Sequence, residues 1–596
     1  MARFSHFQNS YHRIASIFSS IVVFAALSGC QPDQTSTTDQ SVPGPSTESI
    51  STSTDVAVTA TETETLQSNP WKRDCEADIN SITTDIKVLE SFNGPFTVAS
   101  VLKPLNDIEV RISDGASVAS LMENVHPGAD LREHASKCTT AYADLMTQLG
   151  LSRPVYEAVS KVDVSEASPD TQRFHHLTIQ DFKLSGVDKD DETRKRIREL
   201  NDTITKLGQE FDKNILEDVR FIDVDPADLD GLPDDYIASK AVEENGKIRL
   251  STRYVDTIPV YTYVHSDEVR KLLRQQDRSR GYPINEKVLK DLLIARHELA
   301  NLLGFDNFAD FITNDKMIGS AENAQTFIQR IHELAVPAEK RDLQTLLERL
   351  QKIDPDATAV QRWQTNYLEE LIRREKYSTD AAKLRQYFSY GKVQQGIFDL
   401  VEHLFDVDIK PWETTTWHES VNAYEMYQDG KMIGRFYLDM HPRDGKYNHA
   451  AAFSYQMGIK GSQIPIAALV CNFAGGDDVN APMEFNEVTT FLHEFGHLLH
   501  SLLGGHQPWA RISGITTEWD FVEAPSQMLE EWVYDLETLQ SFAVSAKGEP
   551  IPKALVDNLR AARQFGEGAG TNIQMYYAAL SLNYHRLDPN SFDLED

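Results

Sequence analysis

The chain has 596 residues, 41% hydrophobic and 25% charged, with a formal net charge of −33. That length exceeds what one hydrophobic core usually holds, so a soluble protein with two lobes or several cores is expected. The acidic excess argues against nucleic acid or an anionic lipid surface as a partner and otherwise favours solubility.

The first stretch concerns targeting. Arg3, His6, His12 and Arg13 precede an apolar run from Ile14 to Leu27, which ends Leu27-Ser28-Gly29-Cys30. The run is short for a transmembrane helix and marks residues 1–29 as an export signal. Leu-Ser-Gly-Cys resembles the bacterial lipobox. This implies cleavage before Cys30, lipidation of that cysteine and, with Gln31 next, placement at the outer membrane facing the periplasm. A plain signal peptide with an incidental cysteine is the alternative. Residues 30–70 are rich in Ser, Thr, Pro and Gln with few large apolar side chains, which predicts a flexible tether. Of the other cysteines, Cys75 and Cys138 fall on two predicted helices and would be in an oxidising compartment after export, so a disulfide between them is one possibility. Cys471, in an apolar run, reads as a buried thiol.

From Trp71 onward the pattern is mainly helical. Ile197, Leu200, Ile204, Leu207, Phe211 and Ile215 form a ladder of three- and four-residue steps, suited to a core helix or, less simply, to a coiled-coil partner. Breaks fall at Asn93-Gly94-Pro95, Pro226 and Gly231-Leu232-Pro233. Further helices are predicted near 267–278, 285–303, 321–352, 358–376, 380–389 and 395–404. Between about 420 and 475 the period changes. Ala423–Tyr427, Met432–Leu438 and Ile466–Phe473 predict a small sheet, with Pro465 just before its last strand and Gly475-Gly476 after it. An edge of such a sheet could pair with an extended peptide. Helical pattern returns after Asp520, through Trp532 and Leu536 and from Pro552 to Leu582.

The stretch that carries chemistry is His493-Glu494-Phe495-Gly496-His497, an H-E-x-x-H within an apolar ladder of Val488, Leu492, Phe495, Leu499 and Leu502. Asn486 is a candidate N-cap, Glu487 suits the first turn and Gly504-Gly505 is a stop signal. Helical spacing puts His493 and His497 one turn apart on one face, where both can reach one ion. Glu494 is rotated by about 100° from His493 and can act on a water without being a ligand. A catalytic zinc needs a third protein ligand and an open position. The three-histidine extension is absent, because position 503 is Leu, and His500 shares a helix with the other two. Glu523, in Phe521-Val522-Glu523-Ala524-Pro525-Ser526-Gln527, is the better candidate. Glu530, seven residues later on the same helical face, is a candidate to hold a ligand histidine, and Asp520 is a second one.

The stretch His493–His500 followed by Phe521–Gln527 is similar to the thimet oligopeptidase family of zinc peptidases. Gly434–Asp439 through Pro442-Arg443-Asp444-Gly445-Lys446-Tyr447-Asn448-His449-Ala450 resembles a second block of that family. The resemblance runs from about Asn124 to about His585. It implies a mainly α, two-lobed, zincin-like fold with a small sheet beside the metal helix and a deep central channel. Within that fold, 71–419 would form a mostly helical lobe and 420–596 the sheet and catalytic helices. It implies one Zn²⁺ per chain on His493, His497 and Glu523, Glu494 as general base, and endopeptidase action on short unfolded peptides by a monomer. Removal of C-terminal dipeptides is the near alternative. Family members also hold substrate with a Gly/Tyr-rich loop near the C-terminus. Tyr576 and Tyr577 do not belong to such a block, so the chain reads as C-terminally short, and a zinc lipoprotein that binds peptides with impaired catalysis is a further alternative.

Overall fold

The computed structural model describes residues 71, 74–232, 236–237, 240–377, 384–447, 449–473 and 478–594. The expected signal peptide, Cys30, the tether as far as residue 70, the Gly475-Gly476 stop and part of the predicted 380–389 helix lie outside the described residues. No helix among the described residues is long and apolar enough to cross a membrane.

The protein is mainly helical, and its apolar side chains gather in several cores, as its length requires. At the N-terminal end, α1 (Cys75–Glu90) starts at Asp74, whose carboxylate accepts from the Ala77 amide. It buries Ile82, Ile86 and Leu89 against α2 (Lys103–Val125) and α3 (Ala129–Gly150). A Cys75–Cys138 disulfide joins α1 to α3 across 63 residues of sequence, the pairing left open by the cysteine positions alone. Next come α4 (Pro169–Leu184) and α5 (Asp191–Glu217). The α5 ladder buries Ile197, Leu200 and Ile204 against Leu292 and Leu299 of α6 (Ile284–Leu303), so the stripe is satisfied within the chain. The long helix α7 (Ala321–Leu350) follows, then α8 (Tyr390–Phe405).

Two sheets are present among the described residues. The smaller pairs β1 (Phe221–Val224) with β2 (Ile248–Ser251). The larger contains β3 (Asp408–Pro411), β4 (Asn422–Gln428), β5 (Lys431–Asp439), β6 (Ala451–Gln456) and β7 (Ile466–Val470), in the order β3-β4-β5-β7-β6. Only the β5–β7 pair is parallel. Sequence pattern anticipated β4, β5 and β7 but neither β3 nor β6. Strand β7 is apolar throughout because both its faces are covered. Ala467 and Leu469 pack towards the helix that carries H-E-x-x-H, and Ala468 and Val470 towards Val118 and Leu121 of α2. Strand β6 is an edge, which leaves one side of it beside that helix without a partner strand.

That helix, α9 (Phe485–Gly504), starts two residues before the expected cap. Glu484 is the N-cap, in a reciprocal capping box with Glu487, and Asn486 lies inside the first turn. Val488, Phe491, Leu492, Phe495, Leu498, Leu499 and Leu502 are all buried, in one core with Phe388, Ile397 and Val401. Each such side chain contributes about 1.5–3 kcal/mol by leaving water. The core around α9 takes in residues from Leu384 onward, so a division at residue 420 would cut through it. After α9 come the short α10 (Ala524–Glu530) and, near the end of the described chain, α11 (Glu567–Arg586), which packs along α7.

The segment between α9 and α10 is tied to the N-terminal helices through Arg511, which forms an ion pair with Asp181 of α4. Facing it is Glu109 of α2, buried with no hydrogen-bond partner for either carboxylate oxygen among the described residues. Burial, opposed by the charge of Arg511, raises its pKa from 4.5 to about 7. The folded state therefore keeps a proton that the unfolded chain releases between those values. Stability is expected to fall as pH rises from about 4.5 to about 7, by on the order of 3 kcal/mol, and then to level off. Glu109→Gln should flatten this slope, as read by urea unfolding at intervals from pH 5 to pH 8. A slope equal to that of the parent would remove Glu109 as its source.

Candidate metal centre

Helix α9 holds His493 and His497 one turn apart, with ring centroids 4.9 Å from each other. The third candidate arrives from another element. Glu523 is the N-cap of α10, and its Oε2 lies 3.3 Å from His493 Nε2 and 3.2 Å from His497 Nε2. One ligand atom from each of the three lies within 4.8 Å of the others. Both histidines are buried, and Ser526 Oγ donates to Glu523 Oε2 at 2.9 Å, fixing the carboxylate.

The approach of α10 depends on Gly496, between the two histidines. A Cβ there would sit 2.6 Å from Ser526 Cα and 3.0 Å from Pro525 O, both backbone atoms. Glycine thus lets the two helices touch where Glu523 must meet the histidines. Sequence reasoning passed over this position, although its place inside the motif was a usable signal.

Glu530 and Asp520 turn out differently. Glu530 Oε1 accepts from His493 Nδ1 at 2.5 Å, so that Nε2, on the side of Glu523, is the atom that would meet an ion. Asp520 is not a support for a ligand histidine. Its two oxygens accept from the backbone amides of Met317 and Ile318, each at 3.0 Å, anchoring the turn before α7. Asp520 sits in the loop ahead of α10, whereas Glu530 lies at the far end of α10 and is carried back over α9. Glu530→Ala is expected to weaken metal binding about 10- to 100-fold, measured by titration against a competing chelator. Unchanged affinity would remove Glu530 from this role.

Glu494 is buried, and the backbone amide of Ala452 on edge strand β6 lies near its carboxylate. Burial raises its pKa, against the pull of His493 and His497. At His493, burial acts to lower the pKa, but hydrogen-bonded Glu523 and Glu530, with Glu494 close by, lift it to about 10. Glu523 is held well below the usual carboxylate range, its burial outweighed by the two histidines. Three carboxylates around two imidazoles create a demand for positive charge that a divalent cation can meet in place of protons. Two imidazole nitrogens and one carboxylate oxygen also form a zinc-type donor set with a coordination position to spare.

The second motif block holds β6 in place. Asp439, at the end of β5, is fully buried and accepts from Trp417 Nε1 at 2.7 Å and from Arg443 Nη1 at 2.6 Å. Lys446 Nζ is also buried and donates to the carbonyls of Asp439, His441 and Cys471. These bonds fasten the loop that feeds Ala451 and Ala452 into the sheet beside Glu494. Cys471 is a buried free thiol, as expected. His500, set aside as a ligand, faces Phe521 with ring centroids 6.5 Å apart.

Residues 260–595 match the model of peptidase family M3, and residues 76–194 that of the neurolysin/thimet oligopeptidase N-terminal domain. The chain belongs to peptidase family M3. It is a metallopeptidase that hydrolyses peptides, with the mainly helical fold that its sequence implied. It is 27% identical over 522 residues to saccharolysin of Saccharomyces cerevisiae, covering 82% of this chain and 73% of that one. Oligopeptidase A of Escherichia coli is 28% identical over 517 residues, covering 82% and 75% respectively. The organellar oligopeptidase A of Arabidopsis thaliana is 28% identical over 574 residues, covering 87% and 72%. Among solved structures, PZ peptidase A with an inhibitor aligns with 85% of this chain and 73% of its own at 12% identity. The two superpose with a TM-score of 0.43.

Proposed function

We propose that this peptidase is a zinc-dependent endopeptidase of short, unfolded peptides, with His493, His497 and Glu523 holding the ion and Glu494 acting as general base. The observation that carries the reading is the convergence of ligand atoms from α9 and α10 within 4.8 Å, beside a glutamate that is not one of them. When bound, zinc supplies Lewis acidity and lowers the pKa of a coordinated water to about 7. Glu494 takes the proton from the attacking water and returns it to the departing amine nitrogen. The nearby Ala452 amide places the carboxylate at the edge of β6, where an extended peptide can add as a further strand. Glu530 holds the His493 tautomer, and Ser526 holds Glu523.

The reading includes location. Cleavage before Cys30 and acylation of that residue would tether a monomeric peptidase to the outer membrane, facing the periplasm, with residues 31–70 as the spacer. Incorporation of labelled palmitate that is lost in Cys30→Ala would support this, and equal labelling of both would refute it.

The deciding experiment follows cleavage of an internally quenched peptide by the purified protein, before and after removal of metal with a chelator and again after stoichiometric zinc. Activity lost to the chelator and restored by zinc is the expected result. Cleavage that persists in metal-free protein would overturn the assignment.

A further inference from the structure

Beyond Glu494 the free edge of β6 runs along a recess of about 70 Å³. One wall is the serine face of α2, with Ser113, Ser117 and Ser120 at helical spacing. The other is the turn Ser513–Thr516 between α9 and α10, and the floor is Ser454 with Gln456 of β6. Phe453, Met457 and Ile515 supply apolar contact, and among the described residues no charged side chain lines the recess. Among the described residues nothing is hydrogen-bonded to the hydroxyls of Ser113, Ser117, Ser454 or Thr516. Ser513 is engaged, donating to Gly458 O at 2.6 Å, which holds the turn against the end of β6. Asp114, the nearby acid of α2, accepts from the Met457 amide at 2.7 Å and from Gln463 Nε2 at 2.8 Å. The α2 wall and the sheet edge are therefore fixed to each other.

We infer that this recess is a specificity subsite for a small, uncharged polar side chain, such as Ser, Thr or Asn, on the N-terminal side of the scissile bond. The inference rests on the proposed peptidase reading and extends it to substrate preference. Its location, its size and the polarity of its lining lead to it. The recess adjoins the candidate centre, because Ser501, one turn beyond His497 on α9, lines it and donates to His497 O, and Ser454 lies two residues along β6 from Ala452. A peptide that pairs antiparallel with β6, the more stable pairing, has its N-terminal half beside residues 454–456. A cavity of roughly 150 Å³ is what benzene occupies, so a recess of half that size excludes aromatic rings. A charged side chain would lose its hydration with no counter-charge in the lining. The unengaged hydroxyls offer both donors and acceptors, which suits a hydroxyl or amide guest.

The test compares kcat/KM for quenched peptides carrying Ser, Phe or Lys in turn at each position N-terminal to the cleaved bond. At one position Ser should exceed Phe and Lys by about tenfold or more. Ile515→Ala enlarges the recess and should lower the Ser/Phe ratio there about tenfold by improving the Phe peptide. Ser117→Leu fills the recess and should reduce cleavage of the Ser peptide relative to a Gly peptide. The same ratios in parent and both variants would overturn the subsite. If the parent cleaves no peptide, the peptidase reading fails on its own. Equilibrium binding of the same peptides to zinc-loaded Glu494→Gln then decides the recess. Ser/Phe affinity ratios that move with Ile515→Ala uphold it, and ratios that do not move dismiss it.

Discussion

Glu494→Gln is expected to remove nearly all turnover while leaving metal content intact. The side chain is buried beside the candidate ligand histidines and is not itself a candidate ligand, so its amide replacement keeps the packing and removes only the capacity to take a proton. General base catalysis contributes about 10²–10⁴-fold, so kcat/KM should fall by about a thousandfold. The measurement pairs steady-state hydrolysis with zinc stoichiometry on the same sample. A variant that retains one zinc and most of its activity would remove Glu494 from the chemistry. One that loses zinc would show that its role is to hold the site together.

Gly496→Ala is expected to damage the centre without touching a ligand. Helix propensity alone predicts the opposite sign, since alanine favours a helix interior over glycine by about 1 kcal/mol. Here the new Cβ meets the α10 backbone at Ser526 and Pro525, where no flexible side chain can yield. Either α9 or α10 must move, and Glu523 moves with α10. Overpacking of this kind costs about 1–3 kcal/mol, and displacement of a catalytic group by about 1 Å can cost a hundredfold in rate. Thermal unfolding, zinc affinity and kcat/KM should all decline together. A more stable variant with full zinc affinity would show that the contact is slack and that another feature positions Glu523.

The two buried motif blocks contribute to the centre by different routes. Helices α9 and α10 carry the candidate ligands and base, whereas Asp439, Arg443 and Lys446 act at a distance by fixing the loop into β6. Because that strand contacts Glu494 and borders the serine-lined recess, one network supports both the base and the surface along which a substrate would lie.

Sequence alone determined what is local. H-E-x-x-H on an apolar ladder places two histidines on one helical face because α-helical geometry repeats every 3.6 residues. The ladders of α5 and α9 foretold which faces are buried, and the apolar run Ile466–Phe473 foretold the strand β7. Glu523 was legible from its motif, which ties it to the histidines by resemblance rather than by spacing. Tertiary structure decided the rest. Glu530, and not Asp520, supports His493, because the contact spans 37 residues and depends on how α10 folds back over α9. Strand β6 carries too little pattern in Ala-Ala-Phe-Ser-Tyr-Gln to announce itself, and it forms because β7 and the Asp439–Lys446 network give it a partner and a fixed loop. Periodicity records how a segment meets an apolar surface, and it carries no information about which distant segment supplies that surface.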